Sequence, residues 1–310
     1  MTSPTGRPSC ATTFRIAFVA DVTGLGSSVD AAGWRGVSQA LDTVACAHAD
    51  LALPGRPSEY RRTLQAYTDH DLVIAGSFLL TDAVVETARA NPATHFVLVD
   101  PIVMPPDVAN LAVLTFRSDQ GAFLAGALAA IVTRTGVVAG VYGSDGAMDR
   151  SNRLGFERGA RHVSPGVRVL GAYQPAGSAP YADPAWGAGQ AQAFVRDHAD
   201  VIFGAGGATG QGALLGAAQS GVACINEDLA ASNDPSCVVA TSVKFVDRGV
   251  RMAVVDAIAG RWHRGVHALG IAEGAVGLSL GTDVGLRSDI RERLATIAGL
   301  LAAGSISLSP

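Results

Sequence analysis

The sequence predicts an α/β protein of two lobes, each built on a sheet of parallel strands. Short apolar, β-branched runs end in a small or acidic residue, and helical segments separate them. The same pattern starts again with GVVAGVYG after a strongly apolar helix. With 310 residues, 48% of them hydrophobic and 16% charged, the chain can bury the cores of two domains of ordinary size.

Four strand-like runs predict the first lobe. FRIAFVAD precedes a helix over about 30–45, and DLVIAGS precedes a helix over about 80–90. HFVLVD and NLAVLTF follow, and GAFLAGALAAIVTRT, which is too short to span a bilayer, predicts a buried helix. Because helical crossovers join successive runs, we expect these strands to be parallel.

The second lobe repeats this alternation. Its predicted strands are GVVAGVYG, VRVLGAY, DVIFGAG, VACINED and VVATSVK. Helices are predicted at NRLGFERGARHV, GAGQAQAFVRDH and GALLGAAQSG. A terminal helix with a solvated, arginine-rich start is predicted at RSDIRERLATIAGLLAAG.

Charge and hydropathy limit the partners. A net charge of -4 and the absence of any lysine- or arginine-rich run argue against nucleic acid. No run reaches the roughly 18 uninterrupted apolar residues of a membrane span, so no transmembrane segment is predicted. The opening MTSPTGRPSCATT does not read as a leader. We expect a cytoplasmic protein if this sequence is complete, and a periplasmic or cell-surface protein if a leader is missing.

The four cysteines lack the C-x-x-C spacing of a zinc or redox site, so we expect no metal. Cys10 and Cys46 fall at the same end of one βα unit and are placed to pair. Cys224 and Cys237 flank an acidic loop between consecutive strands and are placed to form a second disulfide. Four unrelated buried thiols remain the alternative.

Strand-end residues are the candidates for a binding site, because ligands of such sheets bind beyond the carboxyl ends of the strands. Those positions hold Asp21, Ser77, Asp100, Asp228 and Lys244. For each aspartate, a helix N-cap is the alternative role. Two facing lobes would bring such groups into one cleft, so we expect a small-molecule ligand there.

The stretch FGAGGATGQGALLGAA raises the question of a dinucleotide site. Gly204 and Gly206 match the first glycines of the G-x-G-x-x-G fingerprint, and Glu227 lies at a suitable distance downstream, but Thr209 stands at the third position. Neither a Tyr-x-x-x-Lys pair nor a G-x-S-x-G motif accompanies it. We therefore expect no catalytic residues and no cofactor, and an NAD(P)-dependent oxidoreductase is the distant alternative.

Several longer segments resemble a known family. They include IAFVAD with a glycine-rich loop and GWRG, DLVIAGSFLLTDAVVETA, LTFRSDQGAFLAGALAA, RLGFERGARHVSPGVRVLGAY, YADPAWGAGQA and TSVKFVDRGVRMAVVDAI. From Phe14 to Leu280 the chain resembles the basic membrane protein family, the purine-nucleoside-binding lipoproteins that serve ABC transporters.

The resemblance implies a type I periplasmic-binding-protein fold, with two Rossmann-like lobes joined by a three-strand hinge. The N-terminal lobe is expected to comprise 14–117 and about 245–266, and the C-terminal lobe 118–244 and about 267–310. Residues 1–13 are expected to form a flexible tail.

The resemblance also implies how a nucleoside-like ligand is held. Asp21 and Asp100 match residues near the base, and Asp228 and Lys244 match the carboxylate and the lysine that hold the ribose hydroxyls. Tyr181 matches an aromatic residue that stacks on one face of the base.

The first loop departs from the family pattern. GLGSSVDAAGW is one residue shorter than usual, and Val29 stands where the family carries a phenylalanine that sandwiches the base. Trp34 matches a tryptophan that packs within the helix, whereas Phe78 could supply a compensating face or belong to the core. The base of the ligand is therefore not identified by the resemblance.

On this interpretation the protein captures its ligand by hinge closure and delivers it to an ABC transporter permease. Gly206 and Gly207 would let the backbone approach the ligand closely. A ligand-sensing regulator of the same fold is the alternative. A lipid anchor on Cys10 would favour delivery, although RPSC lacks the usual small apolar residues before the cysteine.

Overall fold

The computed structural model describes residues 13–44, 46–177, 179–228, 235–281 and 288–308. The predicted tail, with Cys10, lies outside the described residues. So does the acidic loop between Asp228 and Pro235.

The described chain divides into two compact units. Unit 1 comprises the described residues up to Phe116 together with Phe245–Leu269, and unit 2 comprises Arg117–Lys244 and the described residues from Gly270 onward. The chain thus passes between the units three times. The last passage comes three residues later than the expected 266, because the strand that ends at Leu269 pairs within the unit 1 sheet.

Twelve strands occur in the described residues. In chain order they are β1 Phe14–Val19, β2 Ala47–Ala52, β3 Leu72–Ala75, β4 His95–Val99, β5 Leu111–Phe116, β6 Val137–Tyr142, β7 Arg168–Tyr173, β8 Val201–Gly204, β9 Ala223–Asp228, β10 Val238–Lys244, β11 Gly265–Leu269 and β12 Val276–Leu280.

Nine α-helices of the described residues connect or flank these strands. They are α1 Ser28–Thr43, α2 Tyr60–Gln65, α3 Thr81–Ala90, α4 Ser118–Val132, α5 Ala147–Val163, α6 Pro184–Arg196, α7 Gly207–Gln219, α8 Val246–Ile258 and α9 Ser288–Ala302.

Each unit contains one six-stranded sheet. The order in unit 1 is β11-β5-β4-β3-β1-β2, with every pair parallel, and the order in unit 2 is β12-β10-β9-β8-β6-β7, in which only β12 runs antiparallel. The first strand of each unit lies inside its sheet, and the chain moves outward on both sides from it. This arrangement places the carboxyl ends of the parallel strands at one edge of each sheet, where doubly wound proteins bind ligands.

The unit 1 sheet is covered by helices on both faces. Ala17 and Val19 of β1 belong to a buried cluster with Leu64 of α2 and Val84 of α3. On the other face Phe18 meets α1, where glycine is needed at residue 33 because an added Cβ would lie 2.7 Å from the ring. Burial on both faces explains why the central strands are continuous apolar runs.

The unit 2 sheet is packed in the same way. Phe203 of β8 stacks on Phe156 of α5 with ring centroids 5.0 Å apart. Leu294 and Ile297 of α9 join this cluster, and Leu214 of α7 belongs to the cluster on the opposite face. Near the edge of that face, a disulfide joins Cys224 in β9 to Cys237 just before β10, with the two Cα atoms 5.2 Å apart.

Candidate ligand-binding site

The carboxyl edge of the unit 1 sheet holds three of the predicted ligand residues. Asp21 follows β1, Ser77 follows β3 and Asp100 follows β4, and these strands are neighbours in the sheet. Asp21 and Ser77 are buried. The Ser77 hydroxyl accepts the backbone N–H of Leu79 at 3.3 Å and so starts the 3₁₀ turn Phe78–Leu80. The structure therefore places all three side chains at one edge.

Asp30 is a further acidic residue at this edge, and its place in the sequence did not single it out. It is fully buried in the first turn of α1 and accepts the backbone N–H of Asp21 through Oδ2 at 3.1 Å, whereas its Oδ1 has no hydrogen-bond partner in the described residues. Burial raises the pKa of the Asp30 carboxyl from 3.8 to about 7, and the charge of Asp21 adds to the shift. This edge thus holds a carboxyl that exchanges a proton near neutral pH.

Two predicted ligand residues have unusual backbone geometry. Among the described residues other than glycine, four have a positive φ, and they include Asp100 at 47° and Tyr181 at 65°. Such conformations cost about 1–3 kcal/mol each and cluster at binding sites, where the surrounding structure fixes them. The sequence pattern alone did not show this geometry at Asp100 and Tyr181.

In unit 2, the glycines of GAGG form the turn between β8 and α7. Gly206 and Gly207 have φ values of 92° and 58°, which favour glycine. The Gly206 N–H donates to Glu227 Oε2 at 3.2 Å, and Asn152 Nδ2 donates to the other carboxylate oxygen at 3.0 Å. Glu227, the downstream acid of the dinucleotide interpretation, is therefore engaged in holding this turn.

The later glycines of the same run serve helix packing. A Cβ at Gly212 or Gly216 would overlap the backbone of α6. Thr209, at the third position of the fingerprint, is fully buried; it donates to Gln174 Oε1 at 2.6 Å and accepts the Asp183 N–H at 3.0 Å. Close contact between α6 and α7 thus explains Gly212 and Gly216 without a pyrophosphate.

Tyr181 is held by a short polar network. Its hydroxyl lies 3.0 Å from Ser144 Oγ, which donates to Asp149 Oδ2 at 2.6 Å. Burial raises the pKa of the Tyr181 hydroxyl and of the fully buried Asp149 carboxyl. The Tyr181 backbone also donates to Gly143 O at 3.1 Å and accepts the Ala208 N–H at 2.9 Å. These contacts fix the tyrosine at the carboxyl edge of the sheet.

Lys244 is the only lysine in a chain with 23 lysine and arginine residues. It ends β10 and is buried, with 8% of its surface exposed. Its charge lowers the pKa of Asp149, against the larger effect of burial. The backbone of Asp228, in β9, pairs with Val243, so Asp228 and Lys244 occupy the same edge. A lysine presents a compact ammonium with three donors, which the planar guanidinium of arginine does not reproduce.

The described residues contain no group of three or more His, Cys, Asp or Glu side chains arranged to hold a metal ion.

Trp34 packs on Phe18 with ring centroids 6.2 Å apart. It therefore belongs to the core of unit 1. Phe78 is 44% exposed at the carboxyl edge, so the core role considered for it does not hold.

No helix in the described part of the chain is long and apolar enough to cross a bilayer.

Comparison with solved structures identifies the fold. An ABC transporter solute-binding protein from Conexibacter woesei matches with a TM-score of 0.75 at 17% identity, over 96% of this chain and 99% of that chain. A transcriptional activator of the comK gene from Bacillus halodurans matches with a TM-score of 0.77 at 16% identity, over 94% and 99%. Identities this low show the fold alone, and the fold is that of type I periplasmic binding proteins.

Sequence comparison then gives the family. Residues 15–295 match the family described as ABC transporter substrate-binding protein PnrA-like, and the chain belongs to this family. It is 29% identical over 214 residues to basic membrane protein A of Borreliella burgdorferi, covering 67% of this chain and 62% of that protein. The matched region spans less than two thirds of the relative's length. These findings confirm the resemblance to the basic membrane protein family. The role described for this family is substrate binding rather than catalysis.

Proposed function

We propose that this protein captures a nucleoside-like solute with residues from the carboxyl edges of both sheets and delivers it to an ABC transporter. The observation that carries the proposal is the single lysine, buried at the end of β10 on the same edge as Asp228. Vicinal hydroxyls of a ribose donate to a carboxylate and accept from an ammonium, and charge-assisted bonds of this kind contribute about 1.5–3 kcal/mol each.

The other edge residues fit the remaining parts of such a ligand. Tyr181, held by Ser144 and Asp149, offers an aromatic face to a planar base. In unit 1, Asp21 and Asp100 supply acceptors for the exocyclic donors of a base, and the fully buried Asp30 accepts the backbone N–H of Asp21 beneath them. The family resemblance implies that the two lobes close on the ligand. Such closure requires that the ligand bind the closed state more tightly than the open state.

The disulfide between Cys224 and Cys237 supports a location outside the cytoplasm, because such bonds persist in oxidising compartments. A regulator of the same fold is not favoured, since the family and its curated relatives are substrate-binding and basic membrane proteins. The fold itself does not decide between these roles, as the match to a transcriptional activator illustrates.

A thermal-unfolding screen against purine and pyrimidine nucleosides, free bases, ribose and NAD tests the proposal. A nucleoside present at about 100 times its dissociation constant should add roughly 2.7 kcal/mol to the free energy of unfolding. Lys244→Met should lose most of this stabilisation, whereas Arg251→Met, at an exposed arginine of α8, should keep it. Stabilisation by NAD alone, or by no nucleoside, would contradict the proposed ligand class.

A further inference from the structure

The exposed large hydrophobic side chains of unit 1 are concentrated at its carboxyl edge. Nine such residues are exposed in the described part of this unit, and eight of them lie in the loops that follow β1, β2, β3 and β4. We call these eight the apolar rim; they are Val22, Leu25, Leu53, Phe78, Leu79, Ile102, Val103 and Met104. The ninth, Val266, lies in β11.

Members of the apolar rim are close in sequence to the candidate ligand residues. Val22 follows Asp21 directly, Phe78 follows Ser77, and Ile102 lies two residues after Asp100. The first and second loops also touch, since a Cβ built on Gly24 would lie 3.4 Å from Leu53 Cδ2.

The loops that form the rim carry few charges near the site. The stretches VTGLGSSV, FLL and PIVMPP contain none. In unit 2, by contrast, the loop after β6 places Asp145 in a salt bridge with Arg150 and leads to Asp149. The unit 1 edge thus carries eight exposed large hydrophobic side chains, whereas the loop after β6 and the start of α5 in unit 2 combine charged residues with one such side chain, Met148.

We propose that the ligand carries a hydrocarbon substituent, and that the apolar rim of unit 1 covers it. This inference rests on the proposed function. Exposed apolar groups gathered at one edge mark a binding surface, and a wholly polar nucleoside would leave Ile102, Val103 and Met104 in water. The rim replaces the phenylalanine that the family carries at the position of Val29, so aliphatic side chains beside Phe78 contact the base. The chemical class is a nucleoside with an alkyl or aryl group on its base.

Matched pairs of probes test this proposal by isothermal titration calorimetry. The pairs are adenosine with N6-benzyladenosine, and cytidine with N4-benzylcytidine. Each buried methylene-sized group is worth about 0.8 kcal/mol, or about fourfold in affinity, so a benzyl group that buries even part of its ring on the rim should bind at least about tenfold more tightly. A benzyl derivative that binds no more tightly than its parent nucleoside overturns the proposal and leaves the nucleoside assignment standing. Failure of all four probes to bind overturns both.

A rim variant tests whether the rim causes the preference for the benzyl derivative over its parent nucleoside. The triple change Ile102→Ser, Val103→Ser and Met104→Ser alters only exposed side chains and should abolish most of the preference for the benzyl derivative while keeping the parent's affinity. Leu215→Ser, an exposed residue of α7 outside the rim, is the matched control. If the triple variant keeps the full preference, these three side chains do not contact the substituent, which contradicts the proposal.

Discussion

Replacing Asp30 by asparagine should stabilise the protein at neutral and alkaline pH. The Asp30 carboxyl is fully buried, and its pKa rises from 3.8 to about 7 chiefly because burial disfavours the charged form. Between these two pH values the folded state binds more protons than the unfolded state, so the free energy of unfolding falls as pH rises through this window. About three pH units at 1.36 kcal/mol each give a cost of about 4 kcal/mol above pH 7, which is an upper limit.

The asparagine side chain of this variant would remain neutral at every pH, and its amide oxygen would keep the hydrogen bond from the Asp21 backbone N–H. We therefore expect Asp30→Asn to match the parent protein near pH 4 and to exceed its free energy of unfolding by up to about 4 kcal/mol at pH 8. Urea unfolding followed by circular dichroism from pH 4 to pH 8 measures the difference. Asp82→Asn, at an exposed aspartate in the first turn of α3, should change little at any pH. Parallel pH profiles for Asp30→Asn and the parent would refute this reasoning.

Three further predictions concern the stability of the two units. Gly206→Ala should lower the free energy of unfolding by about 2–4 kcal/mol, since the φ of 92° disfavours alanine and the new Cβ would overlap the Gly143 backbone. The control is Gly189→Ala, in α6 with open space around it, which should be neutral or stabilising by up to about 1 kcal/mol. Equal urea midpoints for the two variants would show that the turn tolerates a side chain. Asn110→Ala should cost about 2–4 kcal/mol, because the two hydrogens of the buried Nδ2 are shared among three backbone carbonyl oxygens at 2.8–3.0 Å, and a loss below 1 kcal/mol in the same assay would contradict this account. Replacing Cys224 and Cys237 by serine should cost about 3 kcal/mol under oxidising conditions for a sequence separation of 13, whereas an unchanged unfolding midpoint relative to the oxidised parent would show that the disulfide contributes nothing.

The buried strands and the alternation of strand and helix could be predicted from sequence, because hydrophobic periodicity is strong where a strand is covered on both faces. β2, with the sequence AHADLA, escaped prediction because it is a half-buried edge strand with a charge and a histidine. α7 begins at Gly207 rather than near Gly212, because Gly207 and Gly210, which lie close to Tyr181 and to the Ala205 backbone, weaken the helical pattern of its first turns.

The candidate site was only partly visible in the sequence. Strand-end positions indicated Asp21, Ser77 and Asp100, which follow from local pattern alone. Asp30 was missed because an acidic residue three positions after Ser27 is typical of an exposed helix start, and its burial depends on tertiary packing against Phe18 and Gly76.

The apolar rim could not be recognised from the sequence for a related reason. Its members lie in four separate loops, and only the parallel pairing of β1–β4 brings those loops to one edge. The uniqueness of Lys244, by contrast, could have been read directly from the composition of the chain.

The single lysine permits a direct test of the central claim. Protein prepared with 13C-labelled lysine should give one 13Cε signal, that of Lys244. We predict that titration with the nucleoside that stabilises the protein most in the thermal screen will shift this signal to saturation, and that NAD will not. A saturated complex in which the signal keeps its free position would show that Lys244 does not contact the ligand and would contradict the proposed site.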